Sequence, residues 1–352
     1  MKITRENLFK LIMALANSLI WFSVLVFFLW AVGALHQLPF LPPWLRATLA
    51  ITYAVAIPVW VWRSSNRSKT RSWVVGSILF IYGMTLLIRP SNDRVWDPDH
   101  EQVAEASIVD GTVTINNFRN CVYRSEIDYD VYFETKQFQL DEIESVWLIV
   151  QKFTPAEGLA HVFLSFGLEP AEHDREYFSV SVEIRRELGE IYSPLKGLYR
   201  NYELTHVVGD ERDLIGVRTV HRPLDRVYMY RINATPKQAQ QLLANFVERI
   251  QSLHSQPQFY HSLLNNCANG ITGLTYELTP EPINWLDSRI VMPGHSGQFA
   301  WEAALVGDRA GGQTFKQLEA LSRIDERARA AGITETFSQA IRDINSIQLD
   351  SK

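Results

Sequence analysis

The stretch LIMALANSLIWFSVLVFFLWAVGAL, residues 11–35, contains no charged side chain. A helix that crosses a membrane needs roughly 20 mostly apolar residues, so this stretch is long enough. A cleaved signal peptide is the alternative, but its apolar core is usually about 7–15 residues long and ends in a small-residue cleavage site, which does not follow here. The stretch therefore predicts a first transmembrane helix.

Two further uncharged runs, 47–62 and 72–88, follow the first. The run at 47–62 reaches a spanning length only together with Trp44 and Leu45, and the run at 72–88 lies at the lower limit of roughly 17 residues. We therefore predict an N-terminal three-helix transmembrane anchor over residues 1–89, with spans at about 11–33, 44–63 and 72–89.

Charges in the loops predict the orientation of this anchor, because lysine and arginine stay on the cytoplasmic side. Before the first run stand Lys2, Arg5 and Lys10, and in the second connection stand Arg63, Arg67, Lys69 and Arg71. The first connection holds a single basic residue, Arg46. This order predicts a bacterial inner-membrane protein with a cytoplasmic N-terminus and a periplasmic domain after residue 90.

The remainder predicts an α+β domain over residues 111–347, joined to the anchor by a polar, proline-broken tether over residues 90–110. Thr235 and Pro236 begin an amphipathic helix, and charged helices are predicted from about 315 to 347. A block of strands followed by helices favours α+β over a parallel α/β sheet. The predicted strands, rich in β-branched and aromatic residues, are 113–118, 131–138, 145–153, 159–167, 177–185 and 227–232.

Several function classes are disfavoured by composition and motif. The net charge is −5 and no basic stretch lies outside the membrane loops, which argues against a nucleic-acid partner. No zinc spacing, phosphate-binding loop or dinucleotide fingerprint occurs, so we expect no metal and no cofactor. Residues 294–297 resemble a serine-hydrolase elbow but lack its Gly-x-Ser-x-Gly spacing. His100 with Asp97 and Asp99 offers a cation site, for which a solvated tether is the favoured alternative.

The stretch YHSLLNNCAN, residues 260–269, is the one most indicative of chemistry. Asn265 and Asn266 are typical helix N-caps, which would put Cys267 in the first turn of a helix. There the backbone N–H groups and the helix dipole favour a thiolate. A buried inert cysteine is an equally good interpretation, and a disulfide between Cys267 and Cys121 is a third one in an oxidising compartment.

A nucleophilic cysteine needs a base, and the base needs an orienting group. His161 lies within the apolar strand 159–167, on the same face as Phe163 and Ser165. If the hairpin is symmetric about Glu172, His161 stands opposite Glu183 on the next strand. The pattern predicts a Cys–His–Glu relay, and a core histidine held by a carboxylate for stability alone is the alternative.

The order of a His-bearing strand, a Ser/Glu-bearing strand and an Asn-Cys helix start resembles circularly permuted members of the NlpC/P60 papain-like superfamily, which includes lecithin:retinol acyltransferases. Much of residues 94–343 is more closely similar to the Lnb-type N-terminal periplasmic domain, a family that includes bacterial lipoprotein N-acyltransferases proposed to act through a thiol. The similar stretches are 96–98, 117–119, 123–126, 160–166, 181–185, 199–213, Tyr260 with 266–267, and 337–342.

This resemblance implies a permuted NlpC/P60 papain-like domain with an antiparallel sheet, in which Cys267 is the nucleophile, His161 its base and Glu183 the third member. It disfavours a disulfide with Cys121, because a blocked thiol cannot attack a substrate. Further residues in the similar stretches are candidates for substrate binding, with salt bridges or positioning of the tether as the alternative for the arginines: Arg119, Arg124, Arg185, Ser181, Tyr260 and Asn266.

The expected function is a membrane-anchored periplasmic thiol acyltransferase or hydrolase that acts on an ester or amide of a membrane lipid or lipoprotein. Lnb carries its membrane segments after this domain, whereas here they precede it, so a shared domain does not guarantee a shared substrate. A peptidoglycan amidase or peptidase would use the same residues, and a non-catalytic envelope scaffold would need no reactive thiol.

The charge pattern makes a topology prediction. Alkaline phosphatase fused after residue 95 should be active in cells, and a fluorescent protein that folds only in the cytoplasm should be dark at the same position, because residues beyond 90 are expected outside. Enzyme activity and fluorescence of the two fusions provide the measurement. The opposite pair of results would overturn the orientation.

Overall fold

The computed structural model describes residues 5–156, 158–170, 175–275, 289 and 292–343. The chain divides into two compact units, which we call unit 1 (residues 1–90 with 193–201) and unit 2 (residues 91–192 with 202–352). Unit 1 holds the apolar helices, and unit 2 holds the sheet and the remaining helices.

Within its described residues, unit 1 contains three long helices, α1 (Arg5–His36), α2 (Pro43–Arg63) and α3 (Arg67–Leu86). α2 starts with a proline, which is tolerated in the first turn because the N–H there has no helical partner. α3 starts after Asn66, whose side chain accepts a hydrogen bond from the N–H of Lys69. All three predicted segments are therefore helical.

Length and hydropathy qualify α1 and α2, of the helices described, as candidate membrane spans. Most of their large apolar side chains are exposed, as expected of helices that meet lipid. α3 does not qualify, since lysine, arginine and hydroxyl side chains along it lower its mean hydropathy. The apolar N-terminal helices are confirmed, and the three-helix anchor is not.

Unit 2 is built on one large sheet and a short two-stranded ribbon. The strands of the sheet are β1 (Glu105–Val109), β2 (Thr112–Arg119), β5 (Phe133–Gln139), β6 (Ile143–Lys152), β7 (Ala160–Leu168), β8 (Glu176–Arg185), β9 (Glu203–Asp210) and β10 (Arg226–Arg231), and β3 (Val122–Tyr123) with β4 (Tyr129–Asp130) forms the ribbon. Across the described residues the order is β1-β2-β9-β8-β7-β6-β10, and β5 pairs with β2. β2 and β9 meet in parallel at Arg119 and Gly209, whereas the other neighbours are antiparallel.

This architecture confirms the predicted α+β class, with a mixed rather than a wholly antiparallel sheet. The helices in the described part of unit 2 include α4 (Glu211–Leu214), α5 (Pro236–Ser255), α6 (Cys267–Leu274), α7 (Ser296–Glu302), α8 (Phe315–Ser322), α9 (Asp325–Ala331) and α10 (Phe337–Ala340). α5 begins at a capping box between Thr235 and Gln238 and buries its predicted apolar stripe against the sheet: Ala239, Leu242, Leu243, Phe246, Val247, Ile250 and Leu253.

Two strands of the large sheet, β1 and β9, were not predicted, for different reasons, and neither were the two short strands of the ribbon. β9 is buried along almost its whole length, so its polar and apolar residues do not alternate in the way that marks a half-buried strand. β1 lies in the polar stretch that was predicted as tether, and only its pairing with β2 makes it a strand. Tertiary pairing, not local pattern, decides both elements.

The remaining part of the predicted tether folds onto unit 2. Trp96, Asp99 and His100 are each less than a tenth exposed, and Pro98–His100 forms a single 3-10 turn. The Asp97 and Asp99 carboxylates lie 3.2 and 3.5 Å from the Arg186 guanidinium. The Arg186 side chain is therefore the cation that pairs with both carboxylates. Among the described residues, no cluster of side chains suited to a metal ion occurs.

Candidate active site

Cys267 is the first residue of α6, as the sequence predicts. The Asn266 side chain caps the helix by accepting a hydrogen bond from the N–H of Asn269 at 3.0 Å, and its amide donates to the Ser262 carbonyl at 2.8 Å. A side chain at Gly270 would meet Val182 at 3.3 Å, so glycine there allows α6 to pack closely on β8. The start of α6, and with it Cys267, is thereby fixed against the sheet.

Both cysteines are free thiols, so the disulfide interpretation is wrong. Cys121 is buried at the end of β2, and its backbone N–H donates to Asp213 at 2.8 Å. Burial, with the Asp213 carboxylate nearby, raises the pKa of the Cys121 thiol far above its ordinary range. Cys121 is thus a structural cysteine, and Cys267 is the thiol that lines a cavity.

The hairpin of β7 and β8 has the register predicted from the sequence. Phe163 pairs with Ser181, which places His161 opposite Glu183 one pair further on. The Nε2 atom of His161 lies 3.1 Å from Glu183 Oε1 and 2.7 Å from Ser181 Oγ. Ser181 Oγ donates to the same Glu183 oxygen at 2.7 Å. The hydroxyl and the carboxylate therefore both hold Nε2 of the imidazole.

This arrangement fixes which nitrogen of His161 faces the thiol. Ser181 Oγ gives its proton to Glu183, so the hydroxyl accepts from His161 Nε2–H. Cys267 lies close enough to His161 to contribute to the raised pKa of the imidazole. Since Nε2 is occupied, we assign Nδ1 to Cys267. The imidazole thus bridges the thiol and the carboxylate.

Arg218 is the fourth member of this cluster. Its Nη2 atom donates to Glu183 Oε1 at 2.6 Å, and its Nη1 atom donates to the Leu214 carbonyl at 2.7 Å. The guanidinium lies 5.1 Å from the Phe163 ring, which also stacks on His161 at 5.5 Å. Arg218 belongs to a π-helical turn, Val217–His221, and such turns are frequent at functional sites.

Electrostatics in this cluster favour the charged forms of His161 and Glu183. Burial alone would lower the pKa of His161, but the Glu183 carboxylate and Cys267 outweigh it and raise that pKa to about 9. Burial alone would raise the pKa of Glu183, but His161 and Arg218 hold it well below its ordinary value. At neutral pH the two groups form an ion pair.

The relay opens into a polar cavity of about 470 Å³ in unit 2. Cys267, His161 and Glu183 line it together with Tyr260 and Arg218. The Tyr260 side chain is hydrogen-bonded to Tyr192, which lines the same cavity. Charged pairs line the cavity, among them Arg222 with Glu126 at 2.9 Å. A substrate in the cavity would therefore contact positively charged side chains, negatively charged side chains and the Cys267 sulfur.

The three predicted arginines lie in different surroundings. Arg119 is 4% exposed and makes a bidentate pair with Asp213 through Nε and Nη2, both at 2.9 Å. Arg185 is 2% exposed and donates to the carbonyls of His100 and Glu101 at 2.9 and 2.7 Å. Arg124 is exposed and pairs with Asp128 and Asp130 on the surface.

Sequence reasoning missed Arg218 and the bridging position of Ser181. Nothing in the stretch around Arg218 repeats with a strand or helix period, so its direction could not be predicted. The available signal was charge balance, because a carboxylate such as Glu183 that is buried within a sheet needs a permanent cation in addition to a histidine, whose charge depends on pH. Of the partial elbow, Gly294 and His295 belong to a 3-10 turn, Pro293–His295, and Ser296 and Gly297 begin α7.

Comparison with known proteins gives one match. Residues 129–291 match the family described as the Lnb N-terminal periplasmic domain, which confirms the resemblance drawn from the sequence. The match includes His161, Ser181, Glu183, Arg218 and Cys267. No curated protein and no solved structure matches the chain.

The raised pKa of His161 predicts how stability depends on pH. A group whose pKa rises on folding stabilises the folded state fully below its ordinary value of 6.5, and this contribution disappears as the pH rises through about 9. The stability gap between wild type and Glu183→Gln should contain this contribution, on the order of 3 kcal/mol, and should shrink above pH 6.5. Thermal unfolding of both full-length proteins in detergent, followed by tryptophan fluorescence, measures it. A gap that stays constant between pH 6 and 10 would contradict the ion pair.

The contrast between Arg119 and Arg124 makes a second prediction. Arg119→Met leaves the buried Asp213 carboxylate without its cation and should lower the free energy of unfolding by about 3–5 kcal/mol. Arg124→Met is the matched control, and it should leave the denaturation midpoint nearly unchanged because its partners are solvated. Chemical denaturation of the detergent-purified proteins measures both. Equal stability of the two variants would show that Arg119 has no structural role.

Proposed function

We propose that this protein is a thiol acyltransferase or hydrolase of the bacterial cell envelope, with the permuted NlpC/P60 papain-like arrangement inferred from the sequence. The observation that carries the proposal is the grouping of Cys267, His161 and Glu183 at the wall of one cavity, with His161 Nε2 held 3.1 Å from the Glu183 carboxylate. The match to a periplasmic domain and the apolar N-terminal helices support a membrane-anchored protein with a periplasmic domain. We place the anchor in the inner membrane and the N-terminus in the cytoplasm on the loop charges.

In the proposed reaction, the Cys267 sulfur attacks the carbonyl carbon of an ester or amide and forms a thioester. The first N–H groups of α6 have no helical partner and would hold the developing oxyanion. His161, protonated at the outset, gives its proton to the leaving group as the carbon–oxygen or carbon–nitrogen bond breaks. The neutral imidazole then takes a proton from the incoming water or acceptor, and the sulfur leaves.

Glu183 and Ser181 act on His161 rather than on the substrate. Their hydrogen bonds to Nε2 keep Nδ1 directed at the sulfur, and the Glu183 charge stabilises the imidazolium between the two half-reactions. Arg218 holds Glu183 ionised and oriented from the far side. These three residues are positioning residues, and Cys267 and His161 exchange atoms with the substrate.

The acyl donor we propose is an ester or amide of a membrane lipid or lipoprotein, because the chain carries apolar helices that would keep the domain at a membrane. A second candidate, a peptidoglycan amidase or peptidase, is favoured by the charged walls of the cavity, which suit a peptide with charges of both signs. Fatty-acid p-nitrophenyl esters and purified peptidoglycan, offered separately to the full-length protein, distinguish the two.

The mechanism predicts a ranking of variants. Cys267→Ser should lower turnover of a p-nitrophenyl ester by about 10³-fold or more, because His161 barely deprotonates a hydroxyl. His161→Ala should do nearly as much harm, and Glu183→Gln should cost less because it keeps a hydrogen-bonding group without the charge. Iodoacetamide should label Cys267 in the wild type and in Cys121→Ser, the matched control.

If the protein is a non-catalytic envelope scaffold, the opposite result is expected. If Cys267→Ser complements a knockout strain fully while Cys267→Trp, which disrupts packing, does not, then the cysteine is structural and the proposed chemistry is wrong. Thermal unfolding of each variant ensures that lost activity is not lost folding.

A further inference from the structure

Exposed apolar side chains border the cavity that holds Cys267, and we call four of them the apolar rim. They are Ile127, Leu159, Ile191 and Leu224, which are 91, 47, 80 and 75% exposed. Each is next in the chain to a residue that lines the cavity: Glu126, Ala160, Tyr192 and Asp225. Single exposed apolar residues are ordinary on a protein surface. Their concentration on separate segments beside one cavity points to a surface that has a partner.

Two tips of the apolar rim lie on turns that are tied together. The turn 124–128 carries Ile127, and a backbone hydrogen bond of 2.9 Å between its two ends closes it. The turn 222–225 carries Leu224 and is closed in the same way at 3.1 Å. The Arg222 guanidinium of the second turn lies 2.9 Å from the carboxylate of the glutamate in the first. The two apolar side chains are therefore held at neighbouring positions by closed turns.

The connection between β6 and β7 supplies the third tip. The Leu159 carbonyl accepts a hydrogen bond from the Phe153 N–H at 3.0 Å, which closes this connection. The Gln151 amide at the end of β6 donates to the Asp225 carboxylate at 2.6 Å. This bond ties the end of β6 to the turn that carries Leu224. Three tips of the rim thus stand on segments that are bonded to one another in series.

The fourth tip, Ile191, is joined to the cavity through tyrosines. Its carbonyl accepts a hydrogen bond from the Tyr202 hydroxyl at 2.9 Å. The next residue, Tyr192, is 43% exposed and is hydrogen-bonded to Tyr260, and both of these side chains line the cavity. A half-exposed tyrosine has an apolar ring and a polar end, which suits the boundary between lipid and water.

Charged side chains beside the first two tips are paired with one another. Arg222 binds Glu126, and Arg124 binds Asp128 at 2.6 Å and Asp130 at 2.5 Å. These pairs place positive and negative groups side by side between the apolar tips. Such a surface neither repels nor strongly attracts a charged partner, and it matches the paired charges of zwitterionic phospholipid headgroups.

We propose that the apolar rim docks unit 2 on the surface of a phospholipid bilayer, with the four tips among the headgroups and the cavity beside them. This inference rests on the membrane anchoring in the proposed function and goes beyond it. Protein interfaces have a contiguous core enriched in aromatic residues, methionine and arginine. The rim instead presents single aliphatic side chains on separate turns, with charged pairs between them. Such side chains can insert one by one between headgroups.

The docking contact is weak by itself and effective in an anchored protein. A few aliphatic side chains bury little apolar area, so free unit 2 would bind a bilayer only reversibly. The helices that qualify as membrane spans keep unit 2 at a high effective concentration beside the bilayer. Because the anchor removes most of the entropic cost of binding, a weak contact is enough to orient unit 2. A lipid ester at headgroup depth then lies next to the cavity that holds Cys267.

The experiment uses the full-length protein in vesicles of phosphatidylcholine and phosphatidylethanolamine. In a Cys267→Ser background, which keeps the buried Cys121, a nitrobenzoxadiazole dye is attached to Ile127→Cys, Leu224→Cys or Val109→Cys. Quenching by lipids with a nitroxide near the headgroup end of the acyl chain reports contact with the interfacial layer. Val109 is the matched control, since it is 65% exposed and pairs with Thr112. Thr112 begins β2, about 20 Å along the strand from Arg119, which lines the cavity.

Dyes at Ile127 and Leu224 should shift their emission to the blue on reconstitution. Nitroxide lipid should lower their fluorescence about twofold, because inserted side chains reach roughly 5–10 Å into the boundary of headgroups and acyl chains. The dye at Val109 should show neither effect. Adding Ile127→Asp should remove most of the quenching at Leu224, because a carboxylate is costly to bring into that layer. Val109→Asp should leave the quenching at Leu224 unchanged.

A dye at Ile51→Cys, an exposed position of α2, reports the anchor separately. Quenching at Ile51 without quenching at Ile127 and Leu224 would overturn the docking surface and leave the proposed function intact. Equal quenching at Val109 would show that no particular face of unit 2 meets the bilayer. A blue shift at the rim without nitroxide quenching would assign the rim to contact with another protein molecule. Absence of quenching at Ile51 would overturn the proposed anchoring and this inference with it.

Discussion

The candidate site depends on one buried carboxylate. Glu183 lies on β8, with its side chain 17% exposed. Such a charge is costly to bury unless it is paired and fully hydrogen-bonded. His161, Ser181 and Arg218 supply the partners from β7, β8 itself and the π-helical turn. The same contacts that make the carboxylate tolerable also orient His161 toward Cys267, so stability and chemistry share one arrangement.

Arginine–carboxylate pairs organise the rest of unit 2 around this site. The short helix α4 provides both Asp213, which binds Arg119, and Glu211, which binds Arg342 at 2.6 and 2.7 Å. Arg342 follows α10 and thereby ties the end of the described chain to the centre of the sheet. These pairs are bidentate, and bidentate pairing constrains orientation as well as distance. These bonds fix the orientation of α4 and of the segment after α10 relative to the sheet.

Much of the fold could be predicted because its signals are local. The apolar stripe of α5, the capping residues Thr235 and Asn266, and the alternation in β7 and β8 depend on neighbours a few residues apart. Register followed from the same alternation, since a slip by one residue would expose one whole face of the hairpin. β1 and β9 depend on pairing with distant strands. The predicted third membrane span is not confirmed, because lysine, arginine and hydroxyl side chains along α3 lower its mean hydropathy.

The sequence by itself determined that Cys267 begins a helix, that His161 faces Glu183, and that apolar helices precede the domain. Only the tertiary structure decided that Cys267 reaches His161, that Arg218 completes the carboxylate's partners, and that the predicted tether folds inward to bring His100 to the same cavity. The physical reason is range. Helix capping and the alternation within one hairpin act over a few residues of chain, whereas a buried charge draws its partners from any segment that the fold brings within a few ångströms.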